Sequence, residues 1–295
     1  MQKYGRLKEA VRQLPGIDLA EPTPASFEQL TLAHSPEYVE RVFAGRLSSA
    51  ETREIGFPWS QAMVERAIRS VGATLCAARA ALVEGVSANL AGGTHHALSG
   101  RGSGFCVFND VAVSIRVLKQ EQLIHSALVV DLDVHQGNGT AQIFRDDATV
   151  FTLSVHGEKN FPFRKEQSDL DVGLPDGTGD EAYLDALNNA LALATERSDS
   201  DLLFFLAGAD PHENDRLGRL KLTEHGLKAR DQAVYDFAAR HGIPVVVTMA
   251  GGYGRDLDET VAIHCNSIQA ALRWQETIHS SMSKRRSKTA LASLA

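Results

Sequence analysis

The stretch DLDVHQGNGT, Asp131 to Thr140, leaves the apolar run SALVV and at once presents two carboxylates, an imidazole and two glycines. Asp133 and His135 stand two positions apart, so on an extended segment both side chains point to one face and can share an ion. Asp210 follows another apolar run, in LLFFLAGAD, and is a candidate third ligand. Three protein ligands with a fourth position open to water suit a catalytic zinc ion, and a mixed Asp/His set also suits iron(II) or cobalt(II). An isolated Asp-x-His is a weak pattern. Its company strengthens it. His95 and His96 follow two glycines in GGTHHA, and neighbouring imidazoles beside a water-activating ion suit proton transfer. Tyr253 follows Gly251 and Gly252 in AGGYG, where a phenolic hydroxyl can donate to a developing oxyanion. Asp131 shares a strand face with Asp133 and is expected to accept a hydrogen bond from one histidine of the pair. His125, His225, His241, His264 and His279 stand alone and read as ordinary packed or exposed side chains.

Elements that could position these groups are visible as alternating apolar and amphipathic runs. Strands are expected at Ser87–Ala91, Ala127–Leu132, Thr149–Val155, Leu202–Ala207 and Pro244–Met249, each a continuous β-branched or apolar run of the kind covered on both faces. Helices are expected at HSPEYVERVFAG, with Ser35 as N-cap, Pro36 first and Gly45 closing it, and from Trp59 to Val83, ending at Gly85. NDVAVSIRVLKQEQ, Asp180–Thr195, Thr223–Arg240 and Leu257–Thr277 are the others. The alternation predicts a single α/β domain, residues 1–279, with a central parallel sheet and helices on both faces. Ligands in such sheets bind beyond the carboxyl ends of the strands. After the five strands come GGTHHA, Asp133 with His135, His156, Gly208 to Asp210, and AGGYG, and the five clusters are expected to converge on one pocket. Residues 280–295 are small, polar and basic and read as a frayed tail.

Composition narrows the function class. With 43% apolar and 23% charged residues the chain is an ordinary globular one, and its net charge of -7 argues against duplex DNA as a direct ligand. No apolar run is long enough to cross a membrane, and the first residues carry no secretory h-region. Three scattered cysteines suggest neither a disulfide framework nor a zinc knuckle, so a reducing cytoplasm is the simplest compartment. Cys76 and Cys265 read as small apolar fillers, whereas Cys106 lies inside the unusual run GSGFCVFND.

Taken together, GGTHHA, GSGFCVFND, DLDVHQGNGT, LSVHG, GADPHENDRLG and AGGYG resemble, in order, the motifs of the histone deacetylase superfamily, with a similar helix at HSPEYVERV upstream. DLDVHQGNG with HGEKNFP is most similar to the class IV type and its bacterial relatives. The resemblance implies the arginase–deacetylase fold and a zinc-dependent amidohydrolase. It implies Asp133, His135 and Asp210 as zinc ligands and His95 and His96 as the acid–base pair, with Asp131 behind His95. Asn138 stands behind His96 where many relatives have an aspartate. An amide cannot stabilise an imidazolium as a carboxylate does, so His96 is expected to lose its proton more easily. Tyr253 matches the tyrosine that polarises the carbonyl. Gly104 and Phe105 match one wall of an acyl-lysine tunnel, and Phe161 or Phe163 of KNFPF the other. A structural potassium ion is implied on backbone oxygens of Asp131, Asp133, His135 and Val155 and the side chains of Asp131 and Ser154. Relatives carry a strand before KYGRL, so the resemblance also implies a missing N-terminal edge strand, with a cost to stability or activity.

The expected reaction is hydrolysis of an acyl-amide, most simply acetyl-lysine, to an amine and a carboxylate. An acetylated polyamine, a longer acyl-lysine or another small amide fits the same residues. An arginase-like ureohydrolase needs a second metal with bridging aspartates, and Gly137, two after His135, argues against it. A binding protein without catalysis would not need the intact set.

Overall fold

A computed structural model of the chain describes residues 2–197 and 200–292. The N-terminal part is helical: α1 (Gln2–Arg12), α2 (Phe27–Leu30), α3 (Pro36–Phe43), α4 (Ser49–Ile55) and α5 (Gln61–Glu84). Strand–helix alternation follows with β1 (Val86–Asn89), α6 (Asp110–Gln120), β2 (Ala127–Asp131), α7 (Asn138–Phe144) and β3 (Val150–Gly157). The chain continues through β4 (Leu170–Leu174), α8 (Asp180–Arg197), β5 (Leu202–Leu206), α9 (Glu224–His241), β6 (Val245–Thr248) and α10 (Leu257–Ala292).

The strands form one six-stranded sheet in the order β1-β6-β5-β2-β3-β4, and every pairing is parallel. Period-two alternation sorts the side chains of the central strands into two cores. Leu128 and Val130 of β2, Leu203 and Phe205 of β5, and Val245 and Val247 of β6 pack with Tyr183, Val234 and Trp274 of the helices on one face. Val129, Phe204 and Val246 pack on the other face with Val39, Leu75 and Ile115. A strand apolar on both sides is stable only when both sides are covered, which is why β2, β5 and β6 are buried throughout.

The expected fold class and five strands are present. The sixth, β4, was not expected. It lies at the sheet edge with alternating exposure, so LDVGL has no continuous apolar run to announce it. The caps form as read. Ser35 accepts a hydrogen bond from Tyr38 N–H with Pro36 at the start of α3, and Gly85 ends α5 at φ +87°. α10 runs on to Ala292 rather than stopping at Thr277. The expectation of a frayed tail falls on positions whose side chains lie outside the described residues. Cys76 is exposed rather than a core filler.

Candidate active site

β2 and β5 are direct neighbours, with Asp131 opposite Leu206, so their carboxyl ends deliver side chains to one place. One ligand atom each from Asp133, His135 and Asp210 lies within 4.8 Å of the others. His135 Nδ1 stands 2.9 Å from Asp133 Oδ1 and 3.3 Å from Asp210 Oδ2. The second contact lacks hydrogen-bond alignment, and Asp210 Oδ2 is fully buried without a hydrogen-bond partner. A buried carboxylate oxygen left in that state is costly. Burial and the adjacent Asp133 push the Asp210 carboxyl up to about 6. A divalent cation among the three donors would satisfy the orphaned oxygen and neutralise the paired carboxylates, so this set fits one. Gly251 N–H donates to Asp133 Oδ2 at 2.7 Å. A side chain at Gly251 would start 1.9 Å from Asp210 Oδ2, so only glycine lets that turn close on the ligands.

Two residues that sequence reasoning missed brace the ligands from behind. Arg230 on α9 is fully buried; its Nη1 donates to Gly208 O at 2.5 Å and Leu132 O at 3.4 Å. It thereby ties the ends of β5 and β2 together, while Asp231 Oδ1 accepts from its Nε and Nη2. Asp110 at the start of α6 is also fully buried and accepts from Gly93 N–H and Thr94 N–H, fixing the loop that carries the histidine pair. Arg230 carries no motif, since a charged residue inside a helix reads as a solvated one until the packing is known; Asp110 closes the run GSGFCVFND, but nothing in that run says that its carboxylate holds the histidine loop.

His95 and His96 are buried with ring centroids 4.1 Å apart. His95 Nδ1 donates to Asp131 Oδ2 at 2.6 Å, and His96 Nδ1 to Asn138 Oδ1 at 2.7 Å. Burial works against a charged His95, but the Asp131 and Asp133 carboxylates outweigh it and lift the ring to about 9. For His96, burial and the neighbouring His95 and His135 push the same way, well below the usual histidine range, and the Asn138 amide offers little in return. The two imidazoles are thus set apart in basicity by what stands behind each. Gly137 is occluded, since a Cβ there would meet Asp131 Oδ2 at 2.3 Å, which leaves no room for the bridging aspartate of a two-metal site.

The Histone deacetylase domain family matches residues 1–268. The chain belongs to the histone deacetylase family. Among relatives it is 46% identical over 242 residues to an uncharacterized protein of Picosynechococcus sp., covering 82% of this chain and 81% of that one. It is 31% identical over 254 residues to Histone deacetylase 2 of Arabidopsis thaliana, covering 83% and 65%. A solved homolog of the family from Aquifex aeolicus superposes with a TM-score of 0.77 at 25% identity, over 91% of this chain and 77% of that one. As a member, the chain is a hydrolase acting on carbon–nitrogen bonds other than peptide bonds, on the arginase–deacetylase fold.

Around the deacetylase site, Phe161 packs edge-on against His96 with centroids 4.9 Å apart, whereas Phe163 is 90% exposed. Of the two phenylalanines left open by the sequence, Phe161 therefore faces the histidines. Gly104 lies against His96 and Phe161, and Phe105 stands 5.9 Å from the Tyr253 ring on the other side. Burial pushes the Tyr253 hydroxyl above its ordinary range, so it stays protonated and able to donate. Asp131 and Ser154 face each other across β2 and β3 next to Val155. His156, expected with the converging clusters, is buried and bonds Ser154 Oγ through Nδ1 at 3.0 Å; it is not one of the three grouped donors. Cys106 is a buried free thiol, held up from ionising by burial. Among the described residues no helix is long and apolar enough to cross a membrane.

Proposed function

We propose that this deacetylase is a zinc-dependent deacylase of acetyl-lysine-type amides, acting in the cytoplasm, with iron(II) or cobalt(II) as possible substitutes for zinc. The observation that carries this is the three-donor cluster of Asp133, His135 and Asp210, with an orphaned carboxylate oxygen, directly beside the histidine pair. A divalent cation held there supplies Lewis acidity to the scissile carbonyl and to a water molecule. His96, the ring kept neutral, takes the proton of the attacking water. His95, held by its bond to Asp131, stands beside His96 in the pair, and one of the two histidines supplies the proton that the leaving amine needs. The Tyr253 hydroxyl donates to the carbonyl oxygen as it becomes an oxyanion. Gly104, Phe105 and Phe161 line the approach for a long, uncharged acyl-lysine stem, while Phe163 stands outside it. Asp131 and Ser154, with backbone oxygens of Asp133, His135 and Val155, would hold a structural potassium ion that steadies the end of β2.

The test is turnover of a fluorogenic acetyl-lysine peptide, an acetylpolyamine and longer acyl-lysines by metal-defined protein. Activity on acetyl-lysine that a chelator abolishes and zinc restores is the expected result. Chelator-insensitive turnover, or none on any acyl-amide, would refute it.

A further inference from the structure

The turn that carries Tyr253 has no ladder of its own. β6 ends at Thr248, and the next residues take backbone conformations that do not propagate: Ala250 sits at φ +50° and Gly252 at φ +136°. Such a segment keeps its shape only through bonds from outside it. The run GADPHENDRLG, which supplies Asp210, supplies most of them. Asp215 is 6% exposed, and its carboxylate is fully used. Oδ1 accepts from Leu217 N–H and Gly218 N–H, both at 2.8 Å, while Oδ2 accepts from Tyr253 N–H at 2.7 Å. On the other side of the tyrosine, Arg216 donates to Tyr253 O from Nε at 2.9 Å and from its backbone N–H at 3.3 Å. Asp215 pairs with Gly254 as an antiparallel bridge, and Arg255 N–H donates to Asn214 O. Both polar backbone atoms of Tyr253 are therefore held by one short segment that begins at a metal-ligand candidate.

We propose that Asp215 is a positioning residue for the reaction. It sets the place of the Tyr253 hydroxyl by gripping the tyrosine's backbone N–H with one carboxylate oxygen and its own loop with the other. The inference rests on the oxyanion role given to Tyr253 above. The charge state of the acceptor matters to this grip. A carboxylate accepts on both oxygens, whereas an amide must present an NH2 to one of the two donor sets. Asp215→Asn is almost isosteric, yet it places donor against donor, either at Tyr253 or at the Leu217–Gly218 turn. Arg216 is the weaker half of the clamp because its side chain reaches Tyr253 O from the exposed surface.

The experiment is a double-mutant cycle on the metal-loaded full chain, using Tyr253→Phe, Asp215→Asn and the pair, with metal content measured on each. Asp215→Asn alone is expected to lower kcat about tenfold or more with KM changed less than about threefold, and with metal content unchanged. In the Tyr253→Phe background the same change is expected to cost no more than about twofold, because the hydroxyl it positions is gone. A merely structural defect would instead repeat its full loss there, and that result overturns the proposal. Undiminished kcat in Tyr253→Phe alone would show that the tyrosine reading has failed, a different outcome on a different variant. If Asp215→Asn does not fold, Arg216→Ala tests the same clamp from outside. A severalfold loss of kcat that vanishes in Tyr253→Phe supports it, and a loss that persists rejects it.

Discussion

The metal-ligand candidates and the tyrosine are linked through Gly251, whose N–H donates to Asp133, but they are held differently. Asp133 and Asp210 lie two and four residues beyond the ends of β2 and β5, two central strands buried on both faces, and are themselves 1% and 0% exposed. Tyr253 lies on a turn beyond β6, is 38% exposed, and owes its place to side chains of Asp133, Asp215, Arg216 and Lys3. Lys3 reaches in from α1 to donate to Gly252 O and lies over the Tyr253 ring. The sheet thus makes the ion-binding half stiff, and hydrogen bonds make the oxyanion half adjustable. Damage to the first half should appear in binding, and damage to the second in turnover alone.

The largest expected effect is loss of a ligand. Asp133→Ala or His135→Ala should reduce turnover by roughly a thousandfold or more together with metal content, because the remaining donors cannot complete the site. A variant that kept its activity would place the ion elsewhere. Next comes Tyr253→Phe, expected to lower kcat by about a hundredfold, with metal content unchanged, as removal of an oxyanion donor does. If metal content fell as well, the two halves would not be separable, and the contrast would collapse.

This contrast also marks what could be read from the sequence. The three grouped donors, the histidine pair and the tyrosine were singled out because each follows an apolar run and belongs to a motif, and the structure brings Asp133, His135 and Asp210 together. The reading of Asp133 and His135 as partners on an extended segment reached the right pair by the wrong geometry: β2 ends at Asp131, and a bend, with His135 N–H donating to Asp133 Oδ1 at 2.9 Å, brings the two together. Asp215 was in plain view in GADPHENDRLG, but its partner is a backbone N–H 38 positions away, which no spacing reveals. Lys3 and Arg230 act through long-range bonds from helices and carry no local signal, and Asp110, although it ends the run GSGFCVFND, binds backbone N–H groups 16 and 17 positions away that the run does not reveal. β4 was missed because an edge strand, exposed at alternate positions, lacks the apolar run that identifies its neighbours. Phe161 and Phe163 are the same residue type two apart, and only packing against His96 separates them.

A smaller effect tests how the stretch that follows the histidines, from Leu98 to Asn109, is held. His34 is buried, with Nδ1 against Leu98 O at 2.9 Å and Nε2 accepting from Asn109 N–H at 2.9 Å, so it must be neutral. Burial depresses it to about 4, below its unfolded value of 6.5. The unfolded chain therefore binds a proton between those values that the folded chain refuses. The contribution is fully present above pH 6.5 and is lost as pH falls toward 4, on the order of 2–3 kcal/mol at the acid end. Urea midpoints at pH 7 and pH 4.5 should differ less in His34→Gln than in the parent chain. An unchanged difference would mean that other buried groups carry the acid sensitivity. The smallest effect is expected at the α3 cap, where Ser35→Ala should lower stability by about 1 kcal/mol without touching turnover.

Metal stoichiometry by elemental analysis, on the purified chain and on Asp210→Ala, tests the central claim most directly. One divalent ion per chain is expected in the first and close to none in the second. Two ions per chain, or an equal content in both proteins, would contradict it.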